Sequence, residues 1–356
     1  VKRNLIVNPT TSIKKDKQGQ IISTICPKLL KAPFVCNGCR RKTVSCSLDK
    51  SMYYAKHAQK KYEEQLHLAR EGIPLTKESF YEMDRILSSG IDKGQHLYHI
   101  MQTQDLGVSK STVYRHLKKG YFSVHPIDFP RVVKFKARKV VREIYIPKAL
   151  KVGREYQRYL EYILDNPEKT VVQMDTLIGR IGGKAILTLH FPVGNFMVGK
   201  LLENKNTQSV SQVFVELRER LIEDGFQFAD IFPVILTDNG SEFSDIFSIE
   251  NNVYGEKESM LFFCDPNQPN QKPHIEKNHT LFRDIVPKGE SFDEFSQNTL
   301  DLIFSHINSV KRKELNGKSP FDVFTFMFNE TLANTLGIRC IEAPEVVQSP
   351  KLLKVN

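Results

Sequence analysis

The 356-residue sequence predicts an α/β protein whose main domain is a mixed five-stranded sheet flanked by helices, preceded by a helical unit and a cysteine-stapled segment. Three observations carry this. Past residue 166, TVVQMDTLIGR, KAILTLHF and FMVGKLLEN are consecutive β-rich segments with short glycine-containing connections, the pattern of an antiparallel meander; helix, strand, strand and helix follow. Four of the six cysteines crowd between residues 26 and 46. Charge is divided: residues 1–150 carry 29 basic and 12 acidic side chains, a net +17, whereas residues 151–356 carry 22 and 29, a net −7. A basic front half suits phosphate backbones, and an acidic back half has carboxylates to spend on cations. No apolar run approaches the roughly 18 residues of a membrane span, and no secretory signal is seen.

Residues 1–50 are the first expected unit. The Cys36-Asn37-Gly38-Cys39 knuckle has the two-residue gap that lets two thiolates reach one tetrahedral zinc, and Gly38 permits the turn. Cys26 and Cys46 are the candidate remaining ligands of a structural Zn2+; free buried thiols or a redox pair are the competing readings. Residues 51–125 are expected to be helical and to bind DNA. SMYYAKHAQKKYEEQLHLAREG favours helix, with Tyr53, Tyr54, Ala58, Tyr62, Leu66 and Ala69 as an apolar stripe for packing. A second helix runs from Lys77 to Leu87 behind Thr76.

GQHLYHIMQTQDLGVSKSTVYRHLKKGYF matches a helix-turn-helix: a helix over 95–102, a turn at Leu106-Gly107-Val108, and a helix capped by Ser109 or Ser111 and running to Lys119. Leu97, Ile100, Val108, Val113 and Leu117 hold the pair together. That leaves Lys110, Ser111, Thr112, Arg115, Lys118 and Lys119 as candidate DNA contacts. In the arm over 126–165, Arg131, Lys134, Lys136, Arg138 and Lys139 interleave with β-formers, as suits a strand tracking phosphates.

Residues 166–326 hold the sheet, and 327–356 form a C-terminal extension. A helix over 207–224 leads into VILTDNG, MLFFCDP is the last strand, and a helix starts near His274. This is the order of an RNase H-like domain, whose first and fourth strands are neighbours. Asp175 lies inside the first strand among Val171, Val172, Met174 and Leu177, Asp238 ends the fourth, and Glu276 opens the helix. A carboxylate in an apolar strand is costly unless paired or coordinated. Two Mg2+ ions, or Mn2+, about 3.5–4 Å apart suit in-line phosphoryl transfer on DNA and prefer carboxylate oxygens. Asp175, Asp238 and Glu276 are therefore the candidate catalytic and metal-binding set. Lys277, His279 and Arg283 on the glutamate's helix, and the cluster Lys311-Arg312-Lys313, are further candidate DNA contacts. Asn239 and Gly240 shape the Asp238 loop, and Glu242 orients neighbouring cations.

QMDTL, LTDNGSEF, NQPNQKPHIEKNHTLFRDIVPKG and NSVKRKELNGKSPFDVF together resemble the DDE transposases of bacterial insertion sequences, most closely the group named for insertion sequence thirty. The likeness covers roughly residues 166–326. Asp175, Asp238 and Glu276 fall on that group's three catalytic positions. The chain departs at Lys272-Pro273, where the group has an Arg-Gly pair, and at Ile275 and Lys277, where it has asparagines. The resemblance implies metal-dependent hydrolysis at transposon ends, transfer of the freed 3′ hydroxyls into target DNA, and reading of the terminal inverted repeats by the helices near residue 110. It also implies a homodimer on double-stranded DNA, a cytoplasmic place at the bacterial nucleoid, and a further DNA-binding module ahead of Val1. An integrase or nuclease of the same fold, and a helix-turn-helix regulator without catalysis, are the rival readings.

Overall fold

The computed structural model describes residues 6–7, 17–18, 25–46, 48–69, 73–130, 146–266 and 268–354. They form two compact units, 1–76 and 77–356. In the first, β1 (Ile6–Val7) pairs antiparallel with β2 (Ser51–Met52), and α1 (Ala55–Ala69) follows. Tyr53, Tyr54 and Tyr62 are exposed, and among this unit's described residues only Cys36 and Ala58 are buried apolar side chains. Of the stripe expected to pack, Ala58 is buried and Leu66 half-buried, while Tyr53, Tyr54, Tyr62 and Ala69 are exposed.

The second unit opens with α2 (Lys77–Asp92), α3 (Leu97–Thr103) and α4 (Lys110–Lys118). Met83, Leu87 and Ile91 of α2 are buried together with Leu97, Ile100, Val113 and Leu117. The Ser109 side chain accepts the Thr112 N–H and caps α4. Gly90 must lack a side chain, because its Cβ would fall 2.6 Å from Ile100 Cδ1.

Next come α5 (Tyr156–Asp165), β3 (Val171–Ile178), β4 (Ala185–Phe191), β5 (Phe196–Leu202), α6 (Thr207–Glu223), α7 (Phe228–Ile231), β6 (Val234–Thr237), α8 (Ile246–Glu250) and β7 (Met260–Phe263). The chain closes with α9 (Pro273–Ile285), α10 (Gln297–Asn308), α11 (Pro320–Met327) and α12 (Glu330–Thr335). The sheet order is β5-β4-β3-β6-β7, with β3, β4 and β5 antiparallel neighbours and β3, β6 and β7 parallel. This is the expected mixed five-stranded sheet of an RNase H-like domain.

Alternation along β6 shows both faces covered. Ile235 joins the main core, whereas Val234 and Leu236 meet Phe262 and the half-buried tyrosines Tyr156, Tyr159 and Tyr162 of α5. The basic arm expected over 126–165 thus ends in a helix whose tyrosines cover the sheet's second face. On the main face α10 packs on β5 at Gly199, where the Phe304 ring occupies the space of a Cβ. After α12 the chain returns to the helical module. Gln95 Nε2 donates to Val346 O (2.7 Å) and the Gln348 N–H donates to Lys93 O (2.8 Å). Among the described residues, no helix is long and apolar enough to cross a membrane.

Candidate active site

The parallel pairing of β3 with β6 sets Val171 beside Val234 and Gln173 beside Leu236; continuing that register puts Asp238 level with Asp175. Thr237 Oγ1, at the end of β6, donates to Met174 O in the middle of β3 at 3.3 Å. Asp175 Oδ1 accepts the Thr176 N–H at 2.8 Å, and Asp238 Oδ1 accepts the Gly240 N–H at 3.1 Å. Burial raises the Asp238 pKa above the usual carboxylate value, with Lys272 opposing and the Asp175 charge adding.

A cation already lies against this pair. The Lys272 ammonium is 3.5 Å from Asp175 Oδ2, and it donates to Met174 O at 3.0 Å. Lys272 is only 7% exposed. Burial pulls its pKa down, but the Asp175 and Asp238 carboxylates outweigh burial and hold it above the ordinary lysine value.

The loop after β6 is braced from several sides. Asn239 Nδ2 donates to Cys264 O at 2.8 Å, its Oδ1 accepts from Lys151 Nζ, and its carbonyl accepts the Ile146 N–H at 3.0 Å. Glu242 is buried beneath the loop, accepting from Thr176 Oγ1 (2.6 Å) and pairing with Lys205 (3.2 Å). A Cβ on Gly240 would lie 2.5 Å from Glu242 Oε2, so the Asn-Gly pair makes room for the carboxylate below it.

Glu276 is exposed in the first turn of α9. Among the described residues no three His, Cys, Asp or Glu side chains are grouped closely enough to hold a metal, so Glu276 is not gathered with the aspartates here. The inward face of α9 is Ile275, Asn278 and Phe282, all fully buried.

The candidate DNA contacts around this helix are largely spent on structure. His279 lies against the sheet with Nε2 2.9 Å from Thr188 Oγ1, which itself donates to Asp175 O at 3.0 Å. Burial drives its pKa down to about 3, so it is the neutral ring that links α9 to β3. Arg283 donates to Ile178 O at 2.7 Å, and its guanidinium lies over the Phe282 and Phe292 rings. Arg312 is buried and donates to Asn278 Oδ1 at 2.7 Å, clamping α9 to the end of α10. Lys311 pairs with Asp322 (2.7 Å), Lys277 pairs with Glu314, and Lys313 is exposed. A basic side chain drawn out of water must find acceptors that replace its hydration, and the buried carbonyls and amide oxygen beside Arg283 and Arg312 supply them.

On α4 the placement differs. Lys110, Ser111, Arg115 and Lys118 are exposed, as is Lys119 just beyond its end, and Thr112 is half-buried. Arg131, Lys134, Lys136, Arg138 and Lys139 lie outside the described residues. Among the described residues Cys26, Cys36, Cys39 and Cys46 are not gathered into one cluster. The Cys39 N–H closes the knuckle onto Cys36 O at 3.1 Å, yet no third ligand-type side chain among the described residues completes a site, and Cys46 Sγ instead faces Leu48 O.

Sequence reasoning missed Lys151, Lys205, Lys272 and Asp265. Burial lowers the Lys151 pKa while Asp238 and Asp265 pull it back up, which places it beside the carboxylates. Asp265, past β7, exchanges hydrogen bonds with Gln271 at 2.7 and 2.8 Å and ties down the approach to α9. The one signal available was the Lys272 departure from the Arg-Gly pattern.

No family model matches the chain. The putative integrase ORF3 of Spiroplasma virus SpV1-R8A2 B is 30% identical over 165 residues, 45% of this chain and 48% of that protein. The probable transposase of insertion-like sequence element IS1161 from Streptococcus salivarius is 26% identical over 229 residues, 63% of this chain and 60% of that protein. Transposase InsI of IS30A from Escherichia coli K12 is 33% identical over 63 residues, 18% of this chain and 16% of that protein. The chain thus spans about half the length of the first two relatives. The catalytic core domain of BIV integrase matches at a TM-score of 0.32 and 16% identity, over 44% of this chain and 94% of that chain. The chain is similar to the transposases of insertion sequences, that of IS30 among them, and to a viral integrase.

Proposed function

We propose that this chain is a DDE transposase that cleaves DNA at the inverted-repeat ends of an insertion sequence and transfers the freed 3′ hydroxyls into target DNA. The observation that carries the reading is the aspartate pair: two half-buried carboxylates side by side on adjacent parallel strands, Asp175 within β3 and Asp238 just past the end of β6, with a cation's charge held against them. That is where an open α/β sheet receives ligands. The donor set fits a divalent cation in its chemistry, since the ammonium at Asp175 stands where a positive charge is needed. Asp175 and Asp238 are the residues that would hold it, with Glu276 as the third oxygen donor. Mg2+ or Mn2+, two ions in this reading, supplies charge at the attacking and leaving oxygens of the phosphoryl group when bound.

The chain's own groups do the positioning. Glu242, Thr176 and Gly240 keep the Asp238 loop rigid, and the His279–Thr188 link keeps β3 aligned under Asp175. Lys151 and Lys205, flanking the loop, are suited to hold the phosphates beside the scissile bond. Helices α3 and α4 form a helix-turn-helix in which Arg115, Ser111 and Thr112 read base edges and Lys110, Lys118 and Lys119 hold the backbone. Two ends are joined in one reaction, so the working form is a homodimer on DNA.

Labelled inverted-repeat DNA incubated with Mg2+ and the wild-type, Asp238→Asn or Glu276→Gln chains tests this. Cleavage and joining are expected only from the wild type. Survival of both activities in both variants overturns the assignment, and cutting of RNA·DNA hybrids without joining points instead to a nuclease of the same fold.

A further inference from the structure

We propose that Lys272 is a resident counter-cation, which holds Asp175 and Asp238 together in the metal-free protein and is displaced from between the strands when a divalent cation binds. The inference rests on the reading of those aspartates as cation ligands. Two neighbouring carboxylates drawn out of water repel each other and lose hydration, and a nearby positive charge removes most of that cost. Lys272 supplies it from within: 3.5 Å to Asp175 Oδ2, 3.0 Å to Met174 O, almost fully buried. A buried ammonium is itself stable only while those partners remain, so lysine and aspartates stabilise one another in a single arrangement.

The position of Lys272 in the chain gives this pairing a consequence. It is the N-cap residue of α9, and its side chain makes no cap bond to the helix. The side chain crosses to β3 instead, tying the start of α9 to the strand that bears Asp175. Glu276 sits in the first turn of the same helix, exposed and apart from the aspartates. A dication competes with a single ammonium for the same oxygens and wins on charge. Withdrawal of Lys272 releases the start of α9, so that departure of the lysine and arrival of Glu276 are one coupled event. The site is thus held closed to cations until one binds tightly enough to expel the lysine.

Full-length protein titrated with Mn2+, with free Mn2+ read by electron paramagnetic resonance, tests the competition. Lys272→Met, which keeps the side chain's bulk without its charge, is expected to bind Mn2+ about tenfold more tightly than wild type or better. Equal or weaker binding overturns the proposal. Should the variant fail to fold, the wild-type chain decides alone through lysine labelling followed by mass spectrometry. Lys272 is expected to be protected without metal and reactive at saturating Mn2+, and unchanged protection overturns the proposal. Asp238→Asn separates the two levels. If wild-type Mn2+ binding survives that change, the cation-ligand reading fails and this proposal with it; if binding is lost in Asp238→Asn but unaltered in Lys272→Met, only the role of Lys272 fails.

Discussion

Helices α4 and α9 read alike in the sequence, each with basic side chains beside an apolar stripe, yet the fold uses them oppositely. On α4 the polar candidates face outward: Lys110, Arg115 and Lys118 are exposed while Val113, His116 and Leu117 are buried. On α9 they turn inward or are paired: His279 against Thr188 and Arg283 over two phenylalanines, while Arg312, from the loop past α10, reaches in to Asn278. The difference lies in what covers each helix. α4 packs in a three-helix module with one free face, whereas α9 is wedged between the sheet and α10. A basic residue on a surface helix remains available to a phosphate, but one on a wedged helix becomes part of the wedge.

Substitutions can break this comparison. The largest effect belongs to the aspartates under the wedge. Asp175→Asn or Asp238→Asn is expected to lower inverted-repeat cleavage about a thousandfold, roughly 4 kcal/mol of transition-state stabilisation, and Asp175→Asn, which strips the buried Lys272 of its ion pair, to lower the melting temperature as well. A gel assay and a thermal melt on the same samples check it. Next, Arg312→Ala leaves Asn278 Oδ1 unpaired in the core and is expected to cost about 3 kcal/mol of stability in urea unfolding. A loss confined to DNA affinity would mean that Arg312 is a DNA contact after all.

Acid should loosen the return of the C-terminal extension. Burial holds the His306 pKa down to about 4, and His306 Nδ1 accepts the Val347 N–H at 3.1 Å. The unfolded chain, with a histidine pKa of about 6.5, binds more protons between those values. The stabilisation is therefore complete above about pH 6.5 and is lost as pH falls towards about 4, up to about 3 kcal/mol in all. Hydrogen exchange at Val347 and Lys311 follows it, because His99 Nδ1 accepts the Lys311 N–H while its Nε2 meets Ala343 O. Accelerated exchange at high pH instead would contradict the neutral-histidine role.

The smallest effects belong to α4. Arg115→Ala is expected to weaken specific DNA binding by about 1–3 kcal/mol, and Lys118→Ala to reduce the salt slope by about one, both without loss of stability. A fall in melting temperature for either variant would make α4 another wedge.

Much of the fold was legible because it rests on local periodicity. Three β-rich runs in a row, the strand before TDNG and the Ser109 cap are short-range signals, and the structure has each close to its expected place. Helix α5 was not legible as such. α5 lay within a segment read for its charge, and only its packing on Phe262 explains its spaced tyrosines. The aspartate pair was legible because charge inside an apolar strand is anomalous by itself. Lys272 was not, because a lysine before a helix has an ordinary place in solvent until the fold brings Met174 and Asp175 to it.

The sequence by itself determined the strand order, the seats of Asp175 and Asp238, and the two-helix pattern around residue 110, all of which follow from spacing along the chain. Tertiary structure alone decided which basic residues remain free, what neutralises the aspartates and where Glu276 stands. Those depend on which groups lose water together, and desolvation is a property of packed neighbours that no spacing along the chain encodes.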